Sequence, residues 1–136
     1  MNPVNKRMAL TAAIGAIGVA LGALGAHFLR DQMEQGHLSL RQFEGFEAAV
    51  RYQLIHVLSI ILVLFFYKVD NRNFYWTAST LFLVGILLFS GSIYLLSLRT
   101  LMQADWLKMV GPLTPLGGLA FIGGWLVLMV GFLKKG

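Results

Sequence analysis

Tyr52, His56 and Ser59 follow one another at spacings of four and three, which on a helix sets a phenol, an imidazole and a hydroxyl along one face. Ser90, Tyr94 and Ser97 repeat that arrangement later in the chain, with Gly85 and Ser92 on a second face. Arg51 and Gln53 flank the first set, and His27 and Thr114 lie beyond both. Such groups can hydrogen-bond between helices, or bind a small solute, an ion or a lipid headgroup. Metal or haem ligation is poorly supplied, because His27 and His56 have no cysteine and no neighbouring carboxylate to join them. Hydrolysis is no better served. Phe89-Ser90-Gly91-Ser92 offers a serine, but neither a Gly-x-Ser-x-Gly elbow nor a His-Glu-x-x-His helix occurs. Asp31, Glu34, Glu44, Glu47, Asp70 and Asp105 all fall outside the apolar runs or at their edges, leaving no carboxylate relay for protons. The residues point to a non-enzymatic protein without a cofactor.

The elements that must position these groups are membrane spans. Of 136 residues, 57% are hydrophobic and only 12% charged, about half the charged share usual in soluble domains. Apolar runs cover about 8–29, 48–67, 77–98 and 113–133. The first would be roughly 33 Å long as a helix, enough for a hydrocarbon core of about 30 Å. Backbone groups in lipid must be satisfied within the segment, so each run is expected to be helical. The fold class is therefore an all-α membrane protein, an antiparallel bundle of four transmembrane helices in one domain. Lys6 and Arg7 followed by an apolar stretch ending in Ala23-Leu24-Gly25-Ala26 also resemble a secretory signal, but the run exceeds the ~7–15 residues of such a core.

The net charge of +5 does not mark a nucleic-acid binder, because the basic residues sit at the ends of the apolar runs rather than on one solvated face. Lys6, Arg7, Lys68, Arg72, Lys134 and Lys135 lie on the side of the termini; Arg30, Arg41, Arg51, Arg99 and Lys108 lie on the other. The basic pair before the first span assigns both termini to the cytoplasm. Ser39 with Gln42 three residues on reads as a capping box, starting the second helix near Leu40. Glu47 and Arg51 are spaced for an ion pair that would ease Arg51 into the membrane edge.

Gly15, Gly18, Gly22 and Gly25 form a stripe on the first helix, and Gly117, Ala120, Gly124 and Gly131 another on the fourth. In lipid such stripes are packing surfaces, either within the chain or between copies. Counting 1.5 Å per residue puts His56 about 10–12 Å into the bilayer from the side opposite the termini, with Ser90 and Ser92 at similar depth. Tyr52, Tyr94, His27 and Thr114 lie nearer that edge. The polar groups are thus expected in the non-cytoplasmic half, with aliphatic and aromatic filler in the other, and His56, Tyr52 and Ser90 as a polar opening. Expected partners are the bilayer and either a second copy or another membrane protein.

Four stretches resemble the YgdD-like family of small bacterial inner-membrane proteins, domain-of-unknown-function family 423. They are Gly22-Ala23-Leu24-Gly25-Ala26-His27, residues 46–56 from Phe46 to His56, residues 85–94 from Gly85 to Tyr94, and Thr114-Pro115-Leu116-Gly117-Gly118 with Gly124-Trp125. The resemblance implies four spans in a bacterial inner membrane and brings no activity with it. It singles out His27, Arg51, Tyr52, Gln53, His56, Ser90, Ser92, Tyr94 and Thr114.

Overall fold

A computed structural model describes residues 2–134, so Lys135 lies outside the described residues. Four helices are long and apolar enough to cross a membrane: α1 (Pro3–Glu34), α2 (Leu40–Asp70), α3 (Asn73–Leu98) and α4 (Leu113–Leu133). A 3₁₀ segment, Asp105–Val110, precedes α4. The first three helices outrun the apolar stretches, and side-chain caps hold the N-terminal ends of α1 and α2. Pro3 occupies the first turn of α1 behind the Asn2 cap, where its missing N–H costs nothing. The Ser39–Gln42 capping box starts α2 at Leu40, where the sequence places it, and Asn71 ends the helix in a left-handed conformation (φ 50°).

Contacts between α1 and α2 run in opposite numerical order. Gly15 faces Val57, Gly18 faces Gln53 and Leu54, Gly22 faces Val50, and Gly25 faces Phe46. The same order holds between α3 and α4, where Phe74 meets Gly131, Phe82 meets Gly124, Phe121 lies against Gly85, and the Phe89 backbone lies against Gly117. Both glycine stripes are therefore covered inside the chain. At Gly117 the contact is with backbone, so no side chain can rotate away to admit a Cβ.

Two apolar clusters fill the interior. Val57, Ile60, Leu64, Tyr75, Phe82, Phe121 and Leu128 belong to the larger. Leu29, Leu38, Phe43, Phe46 and Val50 form the smaller, beneath the α1–α2 turn. Large apolar side chains also line the outside, among them Leu58 and Leu87 at 71% and 72% exposure. That exterior suits acyl chains and not water. A π-helical turn interrupts α1 at Gly25–Leu29 and α3 at Ile86–Ser90.

Candidate functional site

The polar side chains of the bundle tie helix to helix. Gln53 is 3% exposed, yet both ends of its amide find a partner. Oε1 accepts the Tyr94 hydroxyl at 2.6 Å, and Nε2 donates to the Ile14 carbonyl at 2.8 Å. One amide on α2 thus joins α3 to α1. Gly18 makes room for it, since a Cβ there would stand 3.0 Å from Gln53 Nε2. Ser90 Oγ donates to the Ala49 carbonyl at 2.9 Å, linking α3 to α2, and Ser92 and Thr114 share a 2.6 Å hydroxyl–hydroxyl bond between α3 and α4.

His56 lies 3% exposed in an aromatic box. Its ring stacks on Phe121 with centroids 3.6 Å apart, and Phe82 and Trp125 stand 5.2 and 6.2 Å away. Nδ1 is 2.8 Å from the Tyr52 carbonyl, and Nε2 is 3.3 Å from Trp125 Nε1. A carbonyl can only accept and an indole N–H can only donate. The ring between them therefore carries its hydrogen on Nδ1, and both nitrogens are used.

These placements change the expected site in four ways. First, His56, Tyr52 and Ser90 do not form a polar opening. His56 bonds the backbone of Tyr52 and not its phenol, Ser90 turns to Ala49, and the Tyr52 ring packs against Phe89 while remaining 46% exposed. Second, His27 faces outward from the π-turn of α1 and joins none of these bonds. Third, Arg51 is exposed and forms no ion pair with Glu47; the two instead line a crevice of about 160 Å³ with Gly22 and Gly25. An exposed guanidinium on a long stem reaches the polar boundary without needing a carboxylate beside it.

Fourth, polarity is not confined to one half. Near the N-terminus, Arg7 Nη1 donates to Ser79 Oγ and Thr80 Oγ1, each at 2.8 Å, and to the Trp76 carbonyl at 3.3 Å. Both hydroxyls pass their own hydrogens to that same carbonyl, leaving their oxygens free to accept from Arg7. The guanidinium carbon lies 3.5 Å over the Trp76 ring. Thr11, wholly buried, donates to the Arg7 carbonyl at 2.8 Å. By sequence Arg7 is a flanking charge before the first span. The Arg7/Thr11 spacing and the adjacent Ser79-Thr80 are the only signs in the sequence of this second cluster.

Among the described residues, no group of three His, Asp or Glu side chains is placed to hold a metal ion.

The model of a protein family described as of unknown function, DUF423, matches residues 21–118. The chain belongs to the DUF423 family. It is 37% identical to a UPF0382 membrane protein of Staphylococcus haemolyticus over 118 residues, covering 87% of each chain. The UPF0382 membrane protein YwdK of Bacillus subtilis is 34% identical over 95% of this chain and 98% of its own. The UPF0382 inner membrane protein YgdD of Escherichia coli is 36% identical over 96% of this chain and 92% of its own. No solved structure matches. The chain is an integral membrane protein of a family with no assigned activity.

Proposed function

We propose that this chain is a non-enzymatic accessory protein of the bacterial inner membrane, acting through its lipid-facing surface on another membrane protein. One observation carries the reading: the interior groups with chemical potential are already engaged. His56 has both nitrogens occupied, Gln53 both ends of its amide, and Ser90, Ser92 and Thr114 their hydroxyls. Ser90 and Ser92 give their hydrogens to the Ala49 and Phe89 carbonyls, and the one lone pair of His56 takes the Trp125 N–H, so no hydroxyl is bonded to a base that could activate it. Self-association is the weaker form of this reading, since both glycine stripes are packed within the chain. The named inner-membrane relative supports the location, and the basic pair Lys6–Arg7 supports cytoplasmic termini.

Photo-crosslinking groups placed in living cells at Leu58, Leu87 and Leu119, all strongly exposed, test the proposal. A product heavier than the chain, formed from one face only, is expected. Monomer at every position would overturn it, and a product of twice the chain mass would move the reading to self-association. Reporter fusions at the two termini test the topology; an extracytoplasmic signal from either contradicts it.

A further inference from the structure

Beyond that reading, the end of the bundle opposite the termini carries an unused pair of cations. Arg41 sits on the first turn of α2, and Arg99 directly follows α3. Both line a single cavity of about 330 Å³ between the two helices. Neither guanidinium has an ion-pair partner among the described residues. Glu44, on the neighbouring turn of α2, pairs with neither and is not part of the cavity wall.

The same cavity has an apolar part. Gly45, one turn along α2 from Arg41, lines it with Ile93 and Leu96 of α3. Gly45 leaves its share of the space open, since a Cβ there would meet Ser97 Oγ and Ile93 only at ordinary distances of 3.5 and 3.6 Å. Gln42, also in the cavity's lining, donates to the Ser97 carbonyl and Thr100 hydroxyl, which clamps the start of α2 to the end of α3, the two segments that carry the arginines. Arg41 precedes the apolar run beginning at Ala48 by seven residues, about 10 Å of helix, so the cations stand at headgroup level.

We infer that this cavity is a binding site for one anionic phospholipid, its phosphate held between Arg41 and Arg99 and its glycerol and upper acyl carbons against Gly45, Ile93 and Leu96. Guanidinium forks match phosphate oxygens in pairs. A soluble phosphate would use the arginines and leave the apolar wall empty. An amphiphile uses both, and at this height the bilayer presents one.

The full chain, purified in detergent, is titrated with phosphatidylglycerol or phosphatidylcholine and the retained lipid is read by native mass spectrometry. One phosphatidylglycerol is expected to be retained in preference to phosphatidylcholine. Arg41→Gln and Arg99→Gln should each weaken that preference about five-fold, and Gly45→Leu, which fills the cavity, should abolish it. Arg72→Gln removes the same charge at the other end and should leave it unchanged. Equal retention of the two lipids overturns the site, as does an equal loss from Arg72→Gln, which would mean diffuse attraction. Arginine variants that bind like the parent overturn it whether or not Gly45→Leu folds. Displacement of the lipid by inorganic phosphate would assign the arginines to a soluble anion and overturn the lipid.

Discussion

Gly18 on α1 lies so close to Gln53 on α2 that a single added carbon would stand 3.0 Å from the amide nitrogen, which itself donates to Ile14 one turn away. The glycine and the amide are one device. The missing side chain admits the polar group, and the polar group fixes the register of the two helices.

Gly18→Ala should therefore cost about 1–3 kcal/mol, because the new methyl also meets Leu54 at 2.9 Å and pushes the amide off its carbonyl. Gly45→Ala is its counterpart. With 3.5 Å to the nearest atom, it should be neutral or gain up to about 1 kcal/mol of helix propensity. Unfolding in mixed micelles, followed by circular dichroism, measures both. Equal effects would contradict the close approach at Gly18.

Tyr94→Phe strips Gln53 Oε1 of its donor inside the bundle. The expected loss is about 0.6–2 kcal/mol. Gln53→Leu removes both bonds, so a double-mutant cycle of the two should show strong coupling. Additive losses would mean that the 2.6 Å contact contributes nothing.

The guanidinium of Arg7 also has a direct test. Arg7→Lys keeps the charge and a donor for Ser79, Thr80 and the Trp76 carbonyl, all of which bond the single nitrogen Nη1, but loses the planar group lying 3.5 Å over the indole. A loss of about 0.5–2 kcal/mol is expected, together with a change in Trp76 fluorescence. A lysine variant as stable as the parent would return Arg7 to the status of a flanking charge.

Gly117 and Gly118 are adjacent and should behave oppositely. A methyl at Gly117 collides with the backbone of Phe89, whereas at Gly118 the nearest atom is a Phe89 ring carbon 3.8 Å away. Gly117→Ala is expected to cost about 3 kcal/mol or more, and Gly118→Ala less than about 1 kcal/mol. The comparison is read by the same unfolding assay, and a mild Gly117→Ala would refute the α3–α4 contact described above.

The sequence by itself determined the membrane class, the four apolar runs and the start of α2. Each is set by local chemistry: run length against bilayer thickness, and a Ser39–Gln42 box whose partners lie three residues apart. The two glycine stripes were legible as packing surfaces too, because helical periodicity puts each on one face. Which helix would cover them was not legible, since α1 can present the same stripe to α2 or to another chain.

Only the tertiary structure decided where the polar groups point. Depth in a span constrains height along the membrane normal but leaves rotation about the helix free. Ser90, expected at the depth of His56, instead bonds the Ala49 carbonyl, seven residues or about 10 Å back along α2, while Arg51 and His27 rotate outward. The bond between Arg7 and Ser79, seventy-two positions apart, and the crevice between Arg41 and Arg99, arise only once the helices are packed. Direction around a helix is chosen by the neighbours, and the neighbours are chosen by the whole fold.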